Sequence, residues 1–306
     1  MIASNNIART ISLPVIDNHA AGQDEIPMTP NEIAAALTGR PYLSFSQVST
    51  FQACPLKWYF TYVLKAPPES VHAGMLLGSV IHAAIQAHTE SQLVEQPVAL
   101  DGMMEIAYLT WDREAAKAPV QYSSGDTAES LAATARQMLE TWLESPDSRV
   151  QGQIVSVEDL IYAPVAADLP DLAIKMDRMH LEEDLTGKSL IITDYKTARS
   201  MWKVNTAQEH AEQLMLYGFA CTDIAEQLEA RLKLQFVILT KAKTPKVEAI
   251  EITPSVPRMH RSIQVVRQVF HAMQNLIVYP VPSQMNCCTC PHQRRCDRWS
   301  PENGFE

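Results

Sequence analysis

An aspartate and a lysine follow a strongly apolar run in the segment SLIITDYKTARS, residues 189–200. The run predicts a strand that is covered on both faces, and side chains alternate faces with a period of two along a strand. Asp194 and Lys196 should therefore project to one side of the sheet, and Tyr195 to the other. Such a pair could be only a structural ion pair, or it could join an acidic ligand to a cation for chemistry on a phosphate.

A second aspartate, Asp177, lies in the preceding strand-like run LAIKMDRMHL, ahead of the turn-like EEDLTGK. We expect the two runs to pair as an antiparallel hairpin, which would place Asp177 and Asp194 on neighbouring strands. Two carboxylates pressed together repel unless a cation lies between them. Mg²⁺ or Mn²⁺ suits this position because both prefer oxygen ligands. Lys196 beside the ion could hold an attacking water or stabilise charge that develops on a phosphate.

The elements that must position these residues are helices, followed by a region of alternating strands and helices. Residues 1–40 lack sustained periodicity and predict a loosely ordered arm. Apolar spacing predicts helices in residues 43–64 and 74–93, and through most of 100–147. Beyond Pro146 we expect three strand-like runs, one long helix at 206–229, a further strand, and a last helix at 257–276. This order predicts a mixed α/β domain.

Composition sets limits on function. The 306 residues carry a net charge of −10, yet residues 231–298 contain eleven Lys and Arg against three acids, a local balance of +8. This asymmetry permits a local surface for an anionic ligand, or it is a fluctuation among solvated charges. No apolar run approaches the roughly 18 residues that span a bilayer, and the N-terminus lacks the apolar core of a secretory signal. We therefore expect a cytoplasmic protein with no membrane partner.

Four of the six cysteines crowd into ten residues near the C-terminus, in CCTCPHQRRC. In a reducing compartment, this crowding indicates a metal or cluster more often than disulfides. Cys287, Cys290 and Cys296 have the spacing C-x₂-C-x₅-C, and a closed site needs a fourth ligand, for which Cys54 is the obvious candidate. Cys288 is either a bystander or an alternative ligand.

Taken together, these motifs resemble those of the PD-(D/E)XK nuclease superfamily, and MDRM…ITDYKTA is similar to its RecB-like branch. The segment GSVIHAAIQ resembles the upstream helix of that branch, whose histidine would here be His82. The segment QLMLYGFA resembles the downstream helix, whose glutamine and tyrosine would be Gln213 and Tyr217. Ile174 and Ala198 stand where the branch usually has glycine, but neither position provides a ligand.

The resemblance implies a restriction-endonuclease-like fold, in which helices flank a central mixed sheet. It implies one nuclease domain over residues 41–299, with a helical insertion at about 100–147, a catalytic core at about 151–240, a cluster-binding segment at 287–296 and a tail at 300–306. The metal ligands would be His82, Asp177, Asp194 and the Tyr195 carbonyl, with Lys196 as the catalytic cation.

For the cysteines, the resemblance to iron–sulfur nucleases of this branch, including CRISPR-associated exonucleases, implies a structural 4Fe–4S cluster. The four ligands would be Cys54 and the three C-terminal cysteines. The competing interpretation is a four-ligand zinc site that uses His292 or the same cysteines.

The implied function is a Mg²⁺- or Mn²⁺-dependent exonuclease acting on single-stranded DNA or strand ends, in repair, recombination, or phage- or CRISPR-related processing with a helicase or another partner. Six basic residues could contact the phosphate backbone: Lys241, Lys243, Lys246, Arg294, Arg295 and Arg298. Two alternatives remain open. One is a catalytically silent DNA-binding or scaffold subunit, and the other is a redox-responsive protein in which the cluster is the functional centre.

Overall fold

The computed structural model describes residues 27–302. Helices account for much of this region, together with a π-helical turn at Tyr59–Val63 and a 3₁₀ turn at Pro146–Ser148. The α-helices are α1 (Pro30–Thr38), α2 (Phe45–Ala53), α3 (Pro55–Trp58), α4 (Ala73–Gln92), α5 (Leu100–Ala115), α6 (Ala128–Glu144), α7 (Val204–Glu209), α8 (Glu212–Ala220), α9 (Thr222–Gln227), α10 (Val256–Gln274), α11 (Gln284–Cys287) and α12 (Gln293–Glu302).

The strands form three sheets, with the orders β10-β9-β8-β7-β4, β1-β6-β5 and β2-β3. In the five-stranded sheet, β8 runs parallel to β9, and the other neighbours are antiparallel. The strands are β1 (Tyr42–Ser44), β2 (Val71–His72), β3 (Val120–Gln121), β4 (Gln153–Ser156), β5 (Leu160–Ala163), β6 (Asp171–Lys175), β7 (Arg178–Asp184), β8 (Gly187–Ala198), β9 (Ala230–Thr240) and β10 (Val247–Ile252).

The central strand β8 is covered on both faces, as its apolar run predicts. Leu190 and Ile192 join the larger core, where α8 and α10 pack against the sheet. Tyr195 joins a second core, formed with α4, α5 and α6 on the opposite face. The helical region at 100–147, predicted as an insertion, thus packs against the sheet that carries the acidic residues. The fold is the mixed α/β arrangement that the sequence predicts.

The run LAIKMDRMHL, predicted as one strand, is two. It forms β6 in the small sheet and β7 in the large sheet, and the change of sheet occurs at Met176 and Asp177. The run QIVSVEDLIYAP divides in the same way, into β4 and β5, at Val157–Asp159. Alternation along a strand does not reveal such a change of sheet, because each half keeps its own buried face.

Other expectations also need correction. The predicted arm at 1–40 contains helix α1, in which Thr29 and Glu32 form a capping box. The rest of the predicted arm, residues 1–26, and the end of the predicted tail, residues 303–306, lie outside the described residues. The long helix predicted at 206–229 is three short helices, α7 to α9, and the helix predicted at 43–64 is interrupted at Cys54. Strands β1, β2, β3 and β10 and helices α11 and α12 were not predicted from the sequence. No helix within residues 27–302 is long and apolar enough to cross a membrane.

Candidate active site

The two points at which strands change sheet lie against each other. The Glu158 N–H donates a hydrogen bond to the Met176 carbonyl over 3.0 Å, which ties one break to the other. Glu158 has a φ of 56°, in the left-handed region that non-glycine residues rarely occupy. This backbone geometry brings the Glu158 carboxylate beside Asp177, the next residue after Met176.

A histidine from the opposite core completes a group of three ligands. One side-chain donor atom from each of His82, Glu158 and Asp177 lies within 4.8 Å of the other two. His82 stands on α4, and its Nδ1 is 3.2 Å from Asp177 Oδ1. Two carboxylates and one imidazole at this spacing suit a hard divalent cation such as Mg²⁺ or Mn²⁺.

At His82 and Asp177, burial and the neighbouring charges shift the pKa in opposite directions. Burial would lower the pKa of His82, but Asp177 and Asp194 more than offset this and raise it. Burial would raise the pKa of Asp177, but His82, a hydrogen bond from Glu158 and the Tyr195 N–H hold it below its ordinary value. Burial and the neighbouring Asp177 raise the pKa of Glu158. A carboxyl pair in such close contact must share either a proton or a cation.

The hairpin register extends toward this group. Arg178 on β7 pairs with Thr193 on β8, so Asp177 and Asp194 are the next residues on the two paired segments. The Tyr195 N–H donates to Asp177 Oδ2 over 2.5 Å, and the Tyr195 ring lies in the core. Burial raises the pKa of Asp194 to about 6, although Lys196 pulls it down. The neighbouring Asp177 also acts to raise the pKa of Asp194, so these two carboxylates influence each other.

Lys196 forms the ion pair that the sequence left as its simplest interpretation. Its Nζ is 2.6 Å from Asp194 Oδ2, and the Lys196 side chain is 32% exposed. The same Nζ donates to Gln213 Oε1 over 3.0 Å, and Gln213 Nε2 contacts the Tyr217 hydroxyl over 2.8 Å. The hydroxyl then donates to the Lys175 carbonyl over 3.1 Å. This chain of hydrogen bonds holds the ammonium group at the edge of the acidic cluster.

A family model for the PD-(D/E)XK nuclease superfamily matches residues 42–297, a range that includes all of these site residues. The chain belongs to the PD-(D/E)XK nuclease superfamily. A solved structure of a presumed exonuclease from Eubacterium rectale is similar in fold, with a TM-score of 0.54 and 12% identity over 89% of this chain and 94% of that one. Comparison with curated proteins gives no match.

Glu158 is the one member of the ligand group that the sequence analysis missed. It lies in VSVEDLIYAP, which looks like an ordinary strand with two solvent-facing acids. Asp194, by contrast, was expected as a ligand but is not one of the three mutually close groups, because Lys196 holds it. The signal that could have identified Glu158 is the acid-flanked interruption of an apolar run, since an acid within a half-buried strand needs a partner.

The six basic residues predicted to contact DNA lie in two separate segments. Lys243 and Lys246 are exposed in the β9–β10 connection, whereas the Lys241 ammonium donates to the Gly74 carbonyl over 2.8 Å. Burial lowers the pKa of Lys241. Arg294 and Arg298 are exposed on α12, and the Arg295 guanidinium lies 5.8 Å from the centre of the Phe60 ring. Lys241 and Arg295 therefore already have contacts within the protein.

The C-terminal cysteine segment packs against the chain around Cys54, as the predicted ligand set requires. Asn286 Nδ2 donates to the Ala53 carbonyl over 2.9 Å, and the Leu56 N–H donates to the Tyr279 carbonyl over 3.1 Å. Cys54 and Cys296 both border the larger core. None of the six cysteines, all of which lie in the described region, is in a disulfide.

The thiols of the predicted ligand set influence one another. Burial raises the pKa of Cys290, and the neighbouring Cys54 and Cys287 also act to raise it. His292 contacts Thr61 through Nε2 and Arg295 through Nδ1, so it would have to give up a hydrogen bond to bind zinc.

Proposed function

We propose that this protein is a Mg²⁺- or Mn²⁺-dependent deoxyribonuclease, an exonuclease that acts on single-stranded DNA or strand ends. The main observation in support is the convergence of His82, Glu158 and Asp177 within 4.8 Å, next to the pair formed by Asp194 and Lys196. The geometry of this group and membership of the nuclease superfamily both favour phosphodiester hydrolysis. The choice of DNA and of strand ends rests on the motif resemblance.

In this proposal, His82, Glu158 and Asp177 hold the cation together with Asp194 or the Tyr195 carbonyl. A divalent cation supplies neutralising charge at the phosphate and lowers the pKa of water. Asp177 is oriented for this role by the Tyr195 N–H, and His82 is oriented by Asp177 itself. Because each ligand is already held by a neighbour, little rearrangement is needed to bind the ion.

Lys196 positions the attacking water and stabilises the charge that develops on the phosphate. Its Nζ donates to Gln213 and forms an ion pair with Asp194, and these two contacts hold the ammonium beside the acidic cluster. Tyr217 supports it through Gln213. The hydroxyl of Tyr217 is anchored on a backbone carbonyl, and burial raises its pKa far above the working pH, so it acts as a neutral donor.

We also propose that Cys54, Cys287, Cys290 and Cys296 bind a 4Fe–4S cluster with a structural role. The contacts between the C-terminal segment and the chain around Cys54 support this, as does the contribution of Cys54 and Cys287 to the raised pKa of Cys290. The cluster would clamp the two ends of the domain together. A role in DNA repair, recombination or phage- or CRISPR-related processing, alongside a helicase or another partner, is the corresponding biological expectation.

The test is digestion of end-labelled single- and double-stranded DNA, and of RNA of the same sequence, with anaerobically purified protein and Mn²⁺ or Mg²⁺. We expect cleavage of the single strand from an end, lost on addition of EDTA and in Asp194→Ala. If the cluster-loaded protein cleaves nothing, and Asp194→Ala binds DNA as well as the parent does, the protein is a silent binding subunit. Cleavage that follows the oxidation state of the cluster would instead support a redox-responsive protein.

A further inference from the structure

Within residues 27–302, the three-stranded sheet β1-β6-β5 packs against the core on one face and exposes large side chains on the other. Leu43, Leu172 and Ile174 point into the larger core. On the opposite face of the edge strand β5, Leu160 is 48% exposed and Tyr162 is 51% exposed. A face with large apolar side chains in solvent costs free energy when nothing binds it. The face is small and lies apart from the core.

Two tyrosines on this face form an aromatic pair. The rings of Tyr42 on β1 and Tyr162 on β5 have centroids 5.2 Å apart and planes at 56° to each other. Ala173 lies between them on β6, where it pairs with Tyr162 in the register. Ala173 is buried beneath the rings, so the two tyrosines form one aromatic platform on which flat groups can stack.

The platform is continuous with the candidate active site. Leu160 pairs with Lys175 in the same sheet, so both project from the exposed face. Lys175 is 56% exposed, and its ammonium forms an ion pair with Glu158, one of the three ligand residues. Tyr162 lies in β5, which begins two residues after Glu158. The tyrosine pair, Leu160 and Lys175 thus form one strip that ends at the ligand group.

We propose that this strip binds unstacked bases of a single-stranded nucleic acid whose backbone continues into the active site. The proposal rests on the proposed nuclease function and adds the residues that recognise its single-stranded substrate. Bases in a duplex hide their faces, but bases in a single strand can stack on aromatic rings whatever their sequence. Lys175, which is 56% exposed, adds positive charge at the end of the strip, where its ammonium also pairs with Glu158. The combination of two rings and a lysine favours this occupant over a protein or the chain's own N-terminal residues.

The test is binding of a fluorescein-labelled oligothymidylate of about 12 nucleotides, measured by anisotropy with Mn²⁺ in an Asp194→Ala background that leaves the probe intact. Tyr162→Ala should weaken binding about 5- to 100-fold, as expected for a lost base–aromatic stack. Tyr162→Phe should bind like the parent, because stacking needs the ring and not the hydroxyl. Tyr108→Ala is the matched control, since Tyr108 is a similarly exposed tyrosine (55%) on α5, away from the strip.

Duplex DNA of the same length should bind Tyr162→Ala and its parent equally. The proposal is wrong if Tyr162→Ala and Tyr108→Ala weaken the oligothymidylate to the same extent, or if Tyr162→Ala lowers the melting temperature and leaves binding unchanged. The second result would mean that the protein itself covers the face. A protein that cleaves nothing, yet loses oligothymidylate binding in Tyr162→Ala, would refute the nuclease function alone. Normal cleavage with binding unaffected in Tyr162→Ala would refute the strip alone.

Discussion

The acidic site and the cysteine segment are assembled in different ways. The Asp177 and Asp194 side chains are 12% and 5% exposed, and protein atoms contact both. The cysteine segment, in contrast, has a four-residue helix with no buried residue, α11, and an exposed cysteine, Cys288. The first site is held by sheet register and hydrogen bonds. The second is held by contacts of loops and side chains, such as those of Asn286 with the Ala53 carbonyl, His292 with Thr61 and Arg295 with the Phe60 ring.

This difference shows where each site obtains its geometry. The acidic ligands are arranged by the protein before a cation binds, so removing the cation should leave them in place. The cysteine segment has only a small core of its own, so the cluster that we propose there would supply part of its folding free energy. Mutations should therefore affect catalysis at the first site and stability at the second.

The largest effect is expected from Lys196→Met. It removes the cation at the reacting phosphate and should lower the cleavage rate about 10²–10⁴-fold. The rate is measured with saturating Mn²⁺ so that weaker metal binding does not contribute. Lys203→Met, at an exposed lysine, is the control. An undiminished rate in Lys196→Met would remove Lys196 from the mechanism.

Glu158→Gln tests whether the group found at the strand break binds the cation. The amide is a poorer ligand, and we expect Mn²⁺ affinity to fall at least about 10- to 100-fold. Calorimetric titration measures this directly. Asp159→Asn, at the exposed neighbouring acid, should leave the affinity unchanged. Equal affinities in both variants would show that Glu158 is not a ligand.

Cys54→Ser tests the other half of the comparison. It should remove iron from the anaerobically purified protein and lower the melting temperature, by about 2–4 °C for each kcal/mol of stability lost. Metal analysis and thermal unfolding are the measurements. Cys288→Ser should retain iron if Cys288 is a bystander. Iron bound equally by Cys54→Ser, or zinc in place of iron, would contradict the proposed ligand set.

The sheet behind the acidic site should respond to pH through His180. Burial, with a contribution from Arg178, lowers the pKa of His180 to about 3. In the unfolded chain, His180 takes up a proton near pH 6.5, whereas in the folded protein it stays neutral down to about pH 3. The free energy of unfolding therefore falls as the pH drops below about 6.5. Between pH 7 and pH 5, the loss should be about 2 kcal/mol. His180→Gln should reduce this pH dependence in urea unfolding, and an unaltered dependence would contradict the burial argument.

The smallest effect is expected from Tyr217→Phe. It removes the hydroxyl that joins Gln213 to the Lys175 carbonyl, so the lysine ammonium becomes less well positioned. We expect a loss of about 1 kcal/mol in transition-state stabilisation, or about fivefold in rate. KM should change little, because Tyr217 does not touch the substrate. Tyr62→Phe, at a partly buried tyrosine elsewhere in the core, is the control.

Much of this arrangement can be predicted from the sequence, because it depends on local patterns. The apolar run before Asp194, the antiparallel partner strand and the helices that carry His82 and Gln213 follow from periodicity and motif. The changes of sheet at Met176 and Val157 do not. They depend on how two short sheets meet in space, and nothing in the alternation of apolar and polar residues records it. Glu158 was missed for that reason.

The left-handed backbone at Glu158 has a further consequence, for the evolution and engineering of the protein. A glycine there would relieve the strain of a φ of 56°, but it would also remove the ion pair with Lys175 and a carboxylate of the proposed cation site. A thermostability screen at this position would therefore select against the proposed chemistry wherever the relief of strain outweighs the lost ion pair.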